Sequence, residues 1–297
     1  MTARPGGGSV FVVLLVGFLW GLNWPAVKFM LTEIPPITIR AIALPLAALV
    51  LASVARALGH RLKPARGEIA PIIVTGLLMV GGFNILTSLG QMVTETSKAA
   101  IIAYTMPALT AGLAAGFLKE RLGAKLIAAL LVGMGGLAVL ASESFGALAA
   151  APEGPAIMLA AALSWSLGNV ALKSRSWSLS PMALTVWFLG ASAVVCVALA
   201  LIFEAPWRME TPSAPVLWTM AYHVMGPMVV CYALWNVLLG RLPATVAAIS
   251  ILTAPVVGVV SAIALLGDPP TWQKAVALAM VIASILMTLI RHPERAK

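Results

Sequence analysis

The sequence predicts an all-α integral membrane protein, with ten transmembrane helices arranged as two inverted repeats of five helices. Of its 297 residues, 61% are hydrophobic and only 10% are charged, whereas an ordinary soluble domain carries about 25% charged residues. The apolar residues gather in long runs joined by short connections, and a run of about 20 such residues can cross a bilayer. The third observation is an internal repeat, in which matching residues recur 145–148 positions apart.

The first apolar run already suggests a cavity wall. It places Trp20, Asn23 and Trp24 near mid-depth, although tryptophan normally gathers at the membrane surfaces. Pro25 follows, and because it cannot donate to the helix ladder it leaves a carbonyl group unpaired in the same turn. The ten runs cover about 9–31, 36–58, 69–93, 97–118, 123–143, 154–174, 180–204, 214–240, 244–266 and 271–291.

The internal repeat predicts two domains, residues 1–148 and 149–297, with five helices each. The matches are Trp20 with Trp165, Lys28 with Lys173, Pro36 with Pro181, and Thr105-Met106-Pro107 with Thr253-Ala254-Pro255. Because five is odd, the second half must enter the membrane upside down relative to the first. Inverted repeats of this kind build the two alternately open gates of many secondary transporters.

Charge predicts the orientation. Most of the 19 Lys and Arg residues fall in loops on one side, including both termini and the loop 56–66. The positive-inside rule places that side, and therefore both termini, in the cytoplasm, as expected for a multi-pass protein of the inner (plasma) membrane. The net charge of +9 forms no basic stripe, so we expect the lipid bilayer and a small-molecule substrate as partners, and no nucleic acid.

Three motifs carry a resemblance to a known family. The chain reads W-G-x-N-W-P-x-x-K over 20–28, A-A-x-x-x-x-x-x-P over 99–107, and K-E-R-L over 119–122. In this order, the motifs resemble the EamA branch of the drug/metabolite transporter superfamily, and most of all its YddG-type exporters of aromatic amino acids. The resemblance implies an exporter. One departure is Arg40, whose counterpart in the second half is Thr185.

Four spans place aromatic and amide side chains at similar depth, and we expect them to line one substrate chamber. Lys28, Arg40, Lys98 and Lys173 are expected near span ends, which leaves the chamber without deep charge. The small residues Gly112 and Gly116 predict a close approach between the fourth and ninth helices. The candidate substrate-binding residues are Trp20, Asn23, Asn84, Tyr104, Trp165, Asn169, Trp235 and Asn236, and the candidate gating or kink prolines are Pro25, Pro107 and Pro255.

The predicted function is export of Phe, Tyr or Trp by alternating access, extending to other amino acids or flat organic cations. A sugar-phosphate or nucleotide exchanger is the first alternative, although phosphate would require several intramembrane Lys or Arg. A membrane-embedded enzyme is the second, and only His223 at depth could serve it. No Walker loop occurs in the sequence, so we expect that the chain does not itself hydrolyse ATP. No nucleophile with a base and no metal cluster converges at depth, so we also expect no enzyme, no cofactor and no metal. A monomer or a homodimer is expected.

Overall fold

The computed structural model describes residues 7–93, 99, 102–142, 152–241, 253–266 and 270–289, and these residues are predominantly helical. Lys98 lies outside them. We label the helices in chain order. They are α1 (Gly7–Met30), α2 (Pro36–Ala57), α3 (Ile69–Gly76, Leu77–Gly82 and Phe83–Val93), α4 (Met106–Phe117), α5 (Ala124–Ser142), α6 (Glu153–Lys173), α7 (Pro181–Phe203), α8 (Ala214–His223, Val224–Cys231 and Tyr232–Arg241), α9 (Thr253–Leu266) and α10 (Trp272–Leu289).

The helices have the length and the apolar composition expected of a membrane protein. Within the described residues, six of them are long and apolar enough to cross a bilayer, namely α1, α2, α3, α6, α7 and α8, and α4, α5 and α10 contain shorter apolar helices. Large apolar side chains such as Phe11, Leu49, Val194 and Phe203 are exposed, as expected for a surface in contact with lipid. The prediction of an all-α, multi-pass membrane protein is therefore confirmed.

Two of the long helices, α2 and α7, have proline in the first turn, and the first turn of α2 also donates hydrogen bonds to a carboxylate from another part of the chain. Pro36 and Pro181 stand in the first turns of α2 and α7, where the missing N–H would have had no intrahelical partner. The exposed donors of α2 are satisfied by Glu204, which follows α7 and accepts hydrogen bonds from the backbone N–H groups of Ile37 and Thr38 at 2.8 and 2.6 Å. A carboxylate at this position also interacts favourably with the positive, N-terminal end of the helix dipole.

The helices pack in pairs that join the first and second halves of the chain: α2 with α7, α5 with α10, α1 with α9, and α6 with α3 and α4. Glycine permits the α1–α9 contact. A Cβ added at Gly21 would lie 2.6 Å from the carbonyl oxygen of Ala254, and one at Gly17 would overlap the Thr253 side chain. Within the described residues, nothing lies within 4 Å of a Cβ added at Gly112 or Gly116, so the close approach predicted there is not found.

Two helices change their hydrogen-bonding pattern halfway along. Residues Leu77–Gly82 of α3 and Val224–Cys231 of α8 form π-helix, with α-helix on both sides. The two segments begin 147 residues apart in the chain. π-Helical turns are rare and occur frequently at functional sites. These segments therefore point to the region that they flank as a candidate site.

Two clamps hold the N-terminal ends of α3 and α8. Before α3, the carboxylate of Glu68 accepts hydrogen bonds from both the N–H and the hydroxyl of Ser178. Before α8, Ser213 donates in the same way to Glu33, with distances of 2.6 Å from its N–H and 2.7 Å from its hydroxyl. Ser178 follows Glu33 by 145 residues, and Ser213 follows Glu68 by 145. The same contact thus occurs twice, with acid and serine exchanged between the halves.

The clamps also set the charge of their acids. Hydrogen bonds from the hydroxyl of Ser178, and then from its N–H, lower the pKa of Glu68 from its ordinary value of 4.5. The N–H of Ser213, followed by its hydroxyl, lowers the pKa of Glu33 in the same direction. Both carboxylates are therefore ionised at neutral pH, in the form that accepts these hydrogen bonds.

Candidate functional site

A cavity of about 50 Å³ lies between helices of both halves. Side chains from α1, α2, α3, α4, α6, α8 and α9, together with Tyr104 just before α4, form its wall. Rings and amides make up much of this wall. The lining residues are Trp20, Asn23, Trp24, Val27, Arg40, Phe83, Asn84, Thr87, Gln91, Tyr104, Met106, Trp165, Met228, Tyr232 and Ala254.

The tryptophans form one cluster around Trp165. Its ring lies 5.3 Å from that of Trp20, measured between centroids, and 5.7 Å from that of Trp235. Phe83 and Tyr232 contact the same ring at 5.1 and 5.8 Å. Edge-to-face and tilted arrangements at these distances are the favourable ones for aromatic pairs. Three of the four predicted rings, Trp20, Trp165 and Trp235, therefore meet, and the fourth, Tyr104, contacts Trp24 instead. Trp235 is not among the residues that line the cavity.

Hydrogen bonds fix the orientation of the rings. The indole N–H of Trp24 donates to the Tyr104 hydroxyl at 3.0 Å. That of Trp20 donates to the carbonyl oxygen of Pro227 at 3.3 Å, and that of Trp235 donates to the side-chain oxygen of Asn169 at 2.6 Å. Each polar edge is thus satisfied by the protein, which leaves ring faces as the apolar surface of the cavity.

The predicted amides divide into two groups. Asn23 and Asn84 line the cavity, and Asn84 donates from Nδ2 to the Tyr232 hydroxyl at 2.7 Å. Asn169 lies behind the rings as the partner of Trp235. Asn236 does not line this cavity, because its Nδ2 donates to Thr185 on α7 at 2.6 Å.

The predicted prolines occupy three different settings. Pro25 lies inside α1. Pro107 lies in the first turn of α4, after a turn at residues 104–105. Pro255 is the third described residue of α9. A proline in a first turn costs the helix no hydrogen bond, so Pro107 marks a helix start next to the cavity-lining Tyr104.

Arg40 is a cavity-lining residue that was not among the predicted site residues. It was expected near a span end, but its side chain is 1% exposed and lines the cavity. Its Nε donates to the carbonyl oxygen of Asn84 at 3.2 Å and to the Ser88 hydroxyl at 2.9 Å. The expectation of a chamber without deep charge is therefore wrong. The missed signal is a single arginine one turn into α2, on the face that carries the buried residues Ala43 and Ala47.

His223 connects Arg40 to a cavity amide. Nη1 of Arg40 lies 2.7 Å from Nε2 of His223, and Nδ1 of His223 lies 2.6 Å from Oδ1 of Asn23. Because a guanidinium group can only donate, Nε2 accepts, and the ring proton sits on Nδ1 and is donated to Asn23. Both ring nitrogens are engaged, so the arrangement positions Arg40 and Asn23 and leaves no free base for catalysis.

The second half offers a neutral counterpart of this arrangement. Thr185 occupies the position of Arg40, and its partner Asn236 follows Ser88 by 148 residues. Lys28 and Lys173 also behave alike: their ammonium groups donate to the backbone carbonyl oxygens of Gln91 and Leu239 at 3.1 and 2.8 Å. Among the described residues that line the cavity, the charged side chain is Arg40 of the first half.

Comparison with known proteins assigns the family. The model of the EamA-like transporter family matches residues 8–142 and again 153–290. A protein of Salmonella typhimurium named "Probable amino-acid metabolite efflux pump" is 26% identical, with 94% of each chain covered. One of Streptantibioticus cattleyicolor named "Probable terminal-alkyne amino-acid exporter" is 24% identical, with 94% of this chain and 92% of the relative covered.

Solved structures agree with this assignment at the level of the fold. One crystal structure, at 20% sequence identity, matches with a TM-score of 0.77 over 96% of this chain and 96% of its own. The two halves of the chain thus each carry the family's sequence pattern, on a fold that is known from experiment. The chain belongs to the EamA-like transporter family.

Proposed function

We propose that the chain is a secondary transporter that exports aromatic amino acids by alternating access around the tryptophan-lined cavity. The observation that carries the proposal is the cluster of rings around Trp165, of which Trp20, Phe83, Trp165 and Tyr232 come from different helices and line one cavity. Relatives named for the efflux of amino-acid metabolites, at 26% and 25% identity, support this cargo. Phe, Tyr and Trp are the amino acids whose side chains can stack on such faces.

The cavity must widen to hold this cargo. A volume of about 50 Å³ has room for only a few water molecules. The rings of Trp20, Trp165 and Tyr232 now contact one another, and an aromatic substrate can replace those contacts with its own. Exchange of one ring contact for another changes the free energy little, which suits a carrier because it must release what it binds.

Inverted five-helix repeats would supply the two gates. The recurring order of helices, the π-helical segments of α3 and α8, and the matched contacts of Lys28 and Lys173 support two related halves at residues 1–148 and 149–297. Equivalent residues also meet at the centre, as Trp20 does with Trp165 and Asn84 with Tyr232. A pseudo-two-fold axis through these pairs would pass beside the cavity, where inverted-repeat transporters hold their substrates.

The distribution of Lys and Arg favours both termini in the cytoplasm of a cell whose inner membrane holds the protein. We expect a single cysteine at Glu153 to react with a membrane-impermeant reagent in intact cells and one at Lys63 to be protected, after replacement of Cys196 and Cys231. The opposite labelling pattern would reverse the assigned orientation, and with it the direction of transport.

The alternatives fit the cavity less well. A sugar phosphate or nucleotide carries two or more negative charges, whereas Arg40 is the cationic side chain among the described residues that line the cavity. Flat organic cations would meet the same buried positive charge and be repelled. His223, on which an enzyme would depend, has both nitrogens occupied. A neutral or zwitterionic aromatic solute therefore remains the best fit.

The direct test is counterflow into proteoliposomes loaded with one candidate substrate at a time. Liposomes loaded with phenylalanine, tyrosine or tryptophan should accumulate labelled phenylalanine, and those loaded with alanine, glutamate, glucose 6-phosphate or a flat organic cation should not. Empty liposomes prepared with the same lipid provide the control. Preference for small, anionic or phosphorylated solutes would refute aromatic amino acids as the cargo.

A further inference from the structure

Arg40 is a buried cation that lacks an anionic partner in the described part of the chain. Its contacts there are a backbone carbonyl, a hydroxyl and a neutral imidazole. Buried charges in proteins are normally paired, because an unpaired ion loses its hydration without compensation. A guanidinium group in this position is therefore prepared to receive an anion from outside the chain.

The donors of Arg40 are only partly used. Arginine carries five N–H donors in a rigid plane, and they match the two oxygens of a carboxylate. Nε and Nη1 bind protein acceptors, whereas Nη2 has no hydrogen bond to any residue that the structure describes. Asn84, Ser88 and His223 hold the plane in place, and the side chain forms part of the cavity wall. The group is thus fixed from behind and has donors left for a ligand.

A second polar group of the same wall lacks a partner. Oε1 of Gln91 is buried and accepts no hydrogen bond from the residues that the structure describes, and the side chain, which is 1% exposed, lines the cavity. A buried acceptor without a donor is costly, and such atoms are few in native proteins. An ammonium group brought by a ligand would satisfy it. The cavity therefore presents an unpaired cation, an unpaired acceptor and ring faces together.

We infer that Arg40 binds the carboxylate and Gln91 the ammonium group of an α-amino acid, while the side chain of the substrate lies among the tryptophans. The inference rests on the proposed function, which it deepens, because the ring cluster alone does not distinguish an amino acid from another aromatic compound. A carrier built this way selects for zwitterions: it discriminates against amines through Arg40 and against carboxylic acids through Gln91.

The test compares phenylalanine with phenethylamine, which lacks the carboxylate, and with 3-phenylpropionate, which lacks the ammonium group. Each competes for labelled phenylalanine in proteoliposome counterflow, and each is added to purified protein in detergent to measure thermal stabilisation. The variants are Arg40→Gln, Arg40→Lys and Gln91→Leu. Arg56→Gln is the matched control, since it removes the same charge from an exposed position of α2.

In the wild type, phenylalanine should bind at least about tenfold more tightly than either analogue, the effect of losing one charged hydrogen-bonded contact. Arg40→Gln should weaken the binding of phenylalanine by about tenfold or more and leave the binding of phenethylamine unchanged or improved. Arg40→Lys should restore part of the lost affinity for phenylalanine. Gln91→Leu should reduce the difference in binding affinity between phenylalanine and 3-phenylpropionate. Arg56→Gln should keep the wild-type order.

Equal losses for phenylalanine and phenethylamine in Arg40→Gln would overturn the inference and assign Arg40 a purely structural role, while aromatic export would stand. Because the readout is a ratio of ligands, a lower yield of folded variant does not obscure it. Binding of 3-phenylpropionate that depends on Arg40, in a wild type that ignores phenylalanine, would support Arg40 as a carboxylate site while refuting the proposed cargo.

Discussion

Replacement of Gly168 by alanine is expected to destabilise the protein, although alanine is the better helix former. A Cβ at this position of α6 would lie 2.5 Å from Cβ, 2.6 Å from the backbone nitrogen and 2.7 Å from Cα of Met79. Two of these atoms belong to the backbone of α3, so no side-chain rotation relieves the clash. Overpacking costs about 1–3 kcal/mol, which exceeds the gain of roughly 1 kcal/mol from helix propensity.

The control variant is not expected to lose stability. Gly190 of α7 also lies inside a long helix, but no atom of the described residues lies within 4 Å of a Cβ added there, so Gly190→Ala should be neutral or stabilising. Thermal unfolding of both variants in the same detergent gives the comparison. Equal melting temperatures for Gly168→Ala and the wild type would show that α3 and α6 can separate freely, and the tight packing beside the cavity would not be a constraint.

Replacement of Trp165 by alanine is expected to abolish the preference for aromatic substrates. The side chain is 3% exposed and contacts the rings of Trp20, Phe83, Tyr232 and Trp235. A substrate ring that loses one or two stacking partners loses about 0.5–1.5 kcal/mol for each. The ratio of phenylalanine to leucine transport should therefore fall roughly tenfold.

A ratio of two substrates is the proper measurement, because loss of so large a buried side chain also lowers stability. Tyr104→Ala should shift the ratio in the same direction, since Tyr104 lines the cavity and holds Trp24. Trp218→Ala serves as the control, because this tryptophan of α8 is 77% exposed. An unchanged ratio in Trp165→Ala would place the aromatic site elsewhere.

Sequence reasoning found the rings and missed the charge, for a physical reason. Tryptophans at mid-depth are unusual whatever surrounds them, so Trp20 and Trp165 were identifiable from position alone. Depth in the membrane does not report burial inside the protein, and Arg40 is close to the start of α2 yet covered by α3 and α8. His223 appeared isolated because its partners Asn23 and Arg40 come from the other half of the chain.

Other features lay beyond pattern reading altogether. The π-helical segments of α3 and α8 have the same apolar composition as the α-helix around them, and hydrophobic periodicity cannot separate the two. The clamps were not predicted because the residue that follows Glu33 by 145 positions is Ser178 and not another glutamate, so no matching pair of acids was visible in the sequence. The pairing of Pro107 with Pro255 and their part in gating both stay predictions.

The fastening of α3 and α8 has a mechanical consequence. Each helix is anchored before its first turn by a carboxylate–serine clamp and near its last turn by a lysine, Lys28 for α3 and Lys173 for α8. Each helix is thus held near both of its ends, and its π-helical segment lies between these two points. Tyr232 directly follows the π-helical segment of α8 and Asn84 is the second residue after that of α3, and the two side chains are hydrogen-bonded to each other at the cavity wall. As long as the contacts at both ends persist, any displacement of α3 and α8 by an incoming aromatic ring is confined to the middle of these helices, where the substrate would bind.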